Sequence, residues 1–450
     1  TTFTDNKVSL TANKDTYIRP VMTRRQASIN FVVENEGVLG MDQLQEINCN
    51  IDLRSVGNLA LCDSSGNFTE SDYIFAETSE DQSDANLSVT NTANYVGDTI
   101  YFRVNYQTDM IPNVLPSGDG ITLVTHNTTA RYYLYKYVIP SATNTINVSF
   151  IQRKWSDSDL RASAYAGGNG TSTNPYQVAT AAQFGKMMSD NNPTNYYVIT
   201  NDIDLSSYYC TVFSFAKLTS TSGHVYTINN MRFKLKNYSI PLIGTCEYIV
   251  INGCELYASY RSNHILFRFI REANNFGINN INFNYVNNHT GCTTERIVII
   301  GNENGDSNNI FITGDATIRP STAKNNTVQI GSILGEGNVT NCYSLLNIRL
   351  SEQRPYSLNV VQISGVGKFN SFNNVYYGGS IGIGGNITTE MYVVGAISAT
   401  TPSAASHVYY LDTSANQAFG DGGSVGTDVA SKTQAQLQTA STFADRKSVV

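Results

Sequence analysis

The sequence predicts an all-β protein, an N-terminal β-sandwich followed by a right-handed parallel β-helix (β-solenoid). Three observations predict it. Apolar and polar residues alternate with period two in short runs across the first third of the chain. Beyond that, short apolar triplets recur between Asn- and Gly-rich bends. The composition is low in charge, 14% against roughly 25% in an ordinary soluble domain, and high in Asn (50) and Ser plus Thr (87).

The same composition excludes other classes. No run of about 18 apolar residues exists, so no segment spans a membrane as a helix. Helix formers are too scarce for a bundle or coiled coil. An apolar content of 41% with 11% aromatics is too high for a disordered chain. The net charge of −7 is spread thinly. The basic clusters Arg24-Arg25, Arg153-Lys154 and Arg232/Lys234/Lys236 are short and read as solvated strand edges. No nucleic-acid partner is expected.

In residues 1–152, Gln26–Val33 sets Ala27, Ile29, Phe31 and Val33 on one face. Thr99–Tyr106, Tyr132–Ile139 and Ile146–Phe150 alternate in the same way, and several such strands make a sandwich. Glu77–Thr92 is acidic and polar and reads as a loop. Residues 153–165 carry no period and read as a linker, with the lone Trp155 packed at the junction.

From Ala166 the texture changes. A Gly-rich lead-in ends in a short strand, and Thr180–Met188 reads as a helix with Thr180 as N-cap and Gln183 at the capping-box position. Tyr196–Thr200 and Ile203–Leu205 follow as strands. Then come the triplets Tyr226–Ile228, Ile249–Ile251, Ile278–Phe283, Ile297–Ile300, Ile310–Ile312, Val328–Ile330 and Ile348–Leu350, often 15–30 residues apart. Such recurrence signals a solenoid, in which stacked coils supply the core that one coil cannot. Asn suits the bends because it tolerates left-handed backbone and can form side-chain ladders. Of the 50 Asn, 29 fall in 195–386.

Seven Cys occur without a CxxC pair, and five His are scattered, so no metal site is expected. The thiols read as small buried hydrophobes. Cys49–Cys62 or Cys246–Cys254 pairing across a turn stays open for a secreted protein. Residues 445–450 read as a non-native tail, because they match a sequencing adapter translated in frame, and the source is then a metagenomic assembly.

Gly167–Phe184 resembles the lead-in of bacterial surface proteins with GLUG-type repeats, and Asn201-Asp-Ile-Asp-Leu205 is similar to the segment that follows it there. Gly223–Met231, Ile333–Ser344, His407–Ser414 and the closing Lys432–Phe443 extend the resemblance over 166–444. The family's Gly-Leu-hydrophobic-Gly element survives only as Pro241–Gly244 and Ser332–Gly335. Residues 1–152 more loosely resemble the fimbrillin family of gut-bacterial surface pilins, through Val8–Leu10 and Arg19–Phe31. These resemblances imply an extracellular or cell-surface location, and for the pilin part assembly with other subunits.

Candidate chemistry is sparse. Asp202 and Asp204 lie two apart on a strand and read as turn caps. Glu303, Asp306 and Asp315 form no evident pair, and Arg268, Arg271 and Glu272 make a weak lyase-like set. The Gly-x-Gly within Gly378–Gly385 precedes no helix that could hold a phosphate. No catalytic residue and no cofactor are assigned. The candidate binding residues are Tyr208, Tyr209, Tyr376, Tyr377, Tyr409 and Tyr410, adjacent pairs that each set one ring inward and one outward. The expected function is a non-enzymatic adhesin or stalk that binds surface glycans or proteins. The alternatives are a polysaccharide lyase or hydrolase and a tail-spike-like fibre.

Overall fold

The computed structural model describes residues 24–437, apart from 36–57, 69–86, 107, 109, 237–239, 261–263, 288–293, 303–304, 321–326, 336, 351–359, 384–391, 414–416 and 427. The expected Val8–Leu10 strand, the closing segment beyond Leu437 and the 445–450 tail lie outside the described residues.

The N-terminal part is two four-stranded sheets packed face to face. One has the order β3 (Leu87–Tyr95), β1 (Gln26–Asn35), β8 (Thr143–Gln152), β5 (Met110–Val114). The other has the order β2 (Asn58–Cys62), β4 (Thr99–Asn105), β7 (Tyr132–Val138), β6 (Ile121–Asn127). Period-two alternation puts Ala27, Ile29 and Phe31 against Phe102, Val104 and Tyr135, with Ile146, Val148 and Phe150 beside them. Phe31 meets Phe102 edge-on at 5.9 Å between ring centroids, which ties the sheets together.

One expectation is corrected here. Residues 87–92 do not belong to a loop but to β3, which pairs with β1 in antiparallel register, Phe31 opposite Val89. Leu87, Val89, Ala93 and Tyr95 do alternate with Ser88, Thr90, Thr92 and Asn94, but Asn91 breaks the apolar set and the acidic run from Glu77 to Asp84 adjoins it, which hides the strand. Ladder hydrogen bonds belong to the backbone and need no apolar side chain.

From Tyr176 the chain winds into a parallel β-solenoid of about five turns. Its inner columns are apolar. Ile228, Ile251, Ile278 and Ile312 stack in register. So do Phe233, Leu256, Phe283, Ala316 and Ile348. All are buried in one continuous cluster. Each Ile, Leu or Phe among them withdrawn from water contributes about 1.5–3 kcal/mol, a gain that appears only once the next coil is in place.

The helix α1 (Ala181–Asp190) closes the first coil with Phe184, Met187 and Met188 turned into the core. Thr180 caps it by accepting from the Gln183 backbone N–H at 3.2 Å, and Gln183 Oε1 accepts from the Ala179 N–H at 2.8 Å. The segment expected as a linker is built into this cap. The Trp155 N–H donates to the Tyr209 carbonyl at 3.0 Å, and its indole donates to the Leu205 carbonyl at 3.2 Å. Tyr165 stacks on Tyr176 at 4.3 Å and donates to Asp190 at 2.5 Å.

Candidate functional site

The expected tyrosines separate into two groups. Tyr208 and Tyr209 belong to the cap. Tyr208 packs edge-on against Trp155 at 5.0 Å. Tyr209 is 5% exposed and its hydroxyl accepts from Arg232 at 2.9 Å. Several coils away, Tyr376 is in register with Tyr409 and Tyr377 with Tyr410. Tyr377 is fully buried and donates to the Leu346 carbonyl at 2.9 Å, while Tyr410 packs half-buried against the core. Tyr376 and Tyr409 lie on the outer side and are partly exposed.

That outer column is longer than the tyrosine pairs suggested. Phe311, Tyr343, Tyr376 and Tyr409 stand in register on four successive rungs; Phe311 is buried, at 8% exposure, and the three tyrosines are partly exposed. Phe311 and Tyr343 stack at 5.4 Å with ring planes 11° apart. Two glycines let rings lie flat. A side chain at Gly277 would collide with the Phe311 ring, and one at Gly378 would collide with the Tyr376 hydroxyl. Beside Tyr343 and Tyr376, Leu345 is 36% exposed.

The preceding residues form polar columns. At the corner, Asn275, Asn309, Asn341 and Asn374 all hold left-handed backbone, with φ of 48°, 53°, 54° and 54°. Asn309, Asn341 and Asn374 each donate a side-chain amide to the Asn one rung below, at 2.6, 3.2 and 3.0 Å. Tyr248 and His407 hold the same backbone conformation at 56° and 52°. One residue earlier stand Asn274, Asn308, Thr340, Asn373 and Ser406, with Ser406 donating to Asn373 at 2.9 Å.

The sequence did hold a signal for this surface. Asn308-Asn-Ile-Phe311, Thr340-Asn-Cys-Tyr343, Asn373-Asn-Val-Tyr376 and Ser406-His-Val-Tyr409 are one pattern, polar then Asn or His, then apolar, then aromatic. Its corner residues recur at offsets of 32 and 33. Triplets taken alone show no such period.

The expected acidic residues serve the backbone. Asp202 accepts from the Thr227 N–H at 2.8 Å. Asp204 accepts from Asn230 at 2.9 Å and from the Ser206 N–H at 3.0 Å, and these bonds, the Asn230 amide first, hold its carboxyl below the usual carboxylate range. Asp306 and Asp315 head outer ladders, accepting from Asn338 at 3.0 Å and Asn347 at 2.9 Å. Glu303 lies outside the described residues.

The lyase-like set is divided. Arg268 is buried with its stem against Gly301, whereas Arg271 is exposed and 3.7 Å from Glu272. Glu272 accepts from Thr245 at 2.9 Å. Glu295, fully buried in the interior, accepts from Tyr285 at 3.0 Å and Asn287 at 2.5 Å. Ile381–Ile383, within the Gly-rich stretch, is a strand in register with Ile348. Cys210, Cys246, Cys254 and Cys342 are buried free thiols, so Cys246–Cys254 pairing does not occur here. Cys49 lies outside the described residues. Among the described residues no group of three or more His, Cys, Asp or Glu could hold a metal ion, and no helix is long and apolar enough to cross a membrane.

No family model, no curated protein and no solved structure matches this chain.

Proposed function

We propose that this chain is a non-enzymatic surface adhesin or stalk, in which the solenoid is a rod that displays repeated weak contacts. The observation that carries the reading is the register of Phe311, Tyr343, Tyr376 and Tyr409 beside amide and hydroxyl columns on the same rungs. Rings pack on the C–H faces of sugars or apolar protein surface, and amides bind hydroxyls or peptide groups. A row of such sets adds weak contacts through effective concentration. The commitment of Asp202, Asp204, Asp306 and Asp315 to ladder and turn bonds supports a structural role for them over acid–base work. The resemblance of 166–444 to GLUG-type surface proteins, and of 1–152 to fimbrillins, supports an extracellular setting with surface glycans, proteins or other subunits as partners.

The test is a glycan array together with a reducing-end release assay on the purified chain. Binding without sugar release is the expected result. Release of reducing ends would replace this reading with a polysaccharide-degrading enzyme, and a trimeric mass in solution would favour a tail-spike-like fibre.

A further inference from the structure

We infer that the outer stripe bounded by Thr340, Tyr343, Ser406 and Tyr409 binds an uncharged linear polysaccharide laid along the solenoid axis. This rests on the adhesin reading and gives it a site and a ligand class.

Three observations select the ligand. The first is periodicity. Parallel rungs lie about 4.8 Å apart, so the three partly exposed aromatic rungs span about 10 Å. Each of these rungs offers the same lateral order: a hydroxyl or amide at 340, 373 and 406, a corner residue, then a ring at 343, 376 and 409. Only a ligand that itself repeats along a line can use every rung. The second is charge. Residues 308–313, 340–346, 373–378 and 406–411 contain no Asp, Glu, Lys or Arg. The charges that do reach the stripe sit at its last rung, Lys432 over the Tyr409 ring at 5.2 Å and Asp428 accepting from the Tyr409 hydroxyl at 2.9 Å, and are of opposite sign, so a uronate polymer or nucleic acid would meet no run of cations, whereas a neutral sugar chain needs none. The third is relief. Gly277 and Gly378 let the Phe311 and Tyr376 rings lie low on the sheet, and Leu345 extends the apolar floor next to Tyr376. A low aromatic floor with a hydroxyl and amide edge matches a pyranose, which has apolar C–H faces and a hydroxyl rim. A second copy of this chain is the competing occupant, and the test includes it.

The test is affinity electrophoresis of the purified chain in native gels containing a soluble β-glucan, a mannan or polygalacturonate. Tyr376→Ala and Leu345→Arg alter the stripe, while Arg349→Ala alters an exposed position outside it. Thermal melting confirms that each variant is folded. Should Tyr376→Ala fail to fold, Leu345→Arg at its exposed position carries the test. Expected are retardation by at least one neutral polymer, none by polygalacturonate, and a loss of about tenfold or more in affinity for the stripe variants with Arg349→Ala unchanged. Oligosaccharides from the retarding polymer should bind more tightly with length until the stripe is covered.

Retardation that survives both stripe substitutions overturns the site but leaves the adhesin reading standing. Retardation by polygalacturonate alone overturns the ligand class. No retardation in any neutral gel overturns the polysaccharide assignment, and a blank glycan array with it overturns glycan binding as a whole. A wild-type dimer in sedimentation that Leu345→Arg dissociates gives the stripe to a second copy and overturns the proposal.

Discussion

Asn341 donates its side-chain amide to Asn309 Oδ1 at 3.2 Å on the rung below, and both residues hold left-handed backbone. Asn341 also accepts from Asn374 at 3.0 Å. One residue type thus solves two problems at this corner: it tolerates the bend, and it ties consecutive coils. The two contributions can be separated by substitution. Asn341→Gly keeps the left-handed bend and loses two bonds of about 1 kcal/mol each. Asn341→Ala loses the same bonds and adds a left-handed penalty of about 1–2 kcal/mol. Chemical denaturation should therefore rank wild type above Gly and Gly above Ala. An alanine variant as stable as the glycine variant would show that the backbone conformation contributes nothing.

Gly185 sits inside α1, where helix propensity alone favours alanine by about 1 kcal/mol. The structure opposes this gain. A methyl group at Gly185 would run into the Trp155 carbonyl oxygen, a backbone atom that cannot rotate aside. Moving it would disturb the Trp155 N–H bond to Tyr209 and the indole bond to Leu205. Overpacking of this kind costs about 1–3 kcal/mol, which exceeds the propensity gain. Gly185→Ala should lower the melting temperature and shift the emission of Trp155, the one Trp in the chain. A stabilised variant with unchanged emission would mean that 153–165 does not bear on the helix.

Much of this architecture is legible in the sequence because it depends on local rules. Period-two alternation gives Ala27, Ile29 and Phe31 their shared face, and the Thr180–Gln183 pair marks the helix start. Two features escape for physical reasons. The strand Leu87–Tyr95 pairs with β1, and its alternation of Leu87, Val89, Ala93 and Tyr95 with polar residues is broken at Asn91 and adjoins the acidic run from Glu77 to Asp84. The aromatic column depends on coil length, which is not constant. Cross-rung bonds span 23 residues at Asn229–Asn252, 27 at Thr245–Glu272, and 32–34 along the Asn275 to Asn374 ladder. A search for one period fails over the whole solenoid and succeeds only over its later coils. Adjacent tyrosines mark Tyr376 and Tyr409, whereas Phe311 and Tyr343 stand alone in sequence and join them only through register.

Tyr376 and Tyr377 are neighbours in sequence with opposite surroundings, and hydroxyl deletion should separate them. Tyr377 is fully buried, and its hydroxyl donates to the Leu346 carbonyl at 2.9 Å and reaches the Ser380 carbonyl at 3.1 Å. Tyr377→Phe leaves buried carbonyl acceptors without that donor, at a cost of about 1–2 kcal/mol. Tyr376→Phe removes a hydroxyl at the partly exposed surface, where water can replace its bonds, and should cost less than Tyr377→Phe. Parallel denaturant melts check this, and equal losses for the two variants would contradict the inward and outward assignment.

The buried thiols set an alkaline limit on stability. Burial pushes the Cys210 and Cys342 thiols up to about 12 from an ordinary value of 9.0. Cys246 is raised chiefly by burial, and so is Cys254, with the Cys210 thiol adding to it. Below pH 9 these thiols are neutral in both folded and unfolded chains, and their contribution to stability is complete. Above pH 9 the unfolded chain releases their protons while the folded core resists, so each further pH unit favours unfolding. Stability should therefore fall steadily from pH 9 toward pH 12. Burial raises Tyr260 and Tyr377 as well, with the same sign. Peptide mapping after brief iodoacetamide treatment at pH 9 isolates the thiol part. Cys210, Cys246, Cys254 and Cys342 should remain unmodified in the folded chain and react fully in denaturant. Rapid native alkylation of Cys246 or Cys254 would show that the apolar columns do not close around them.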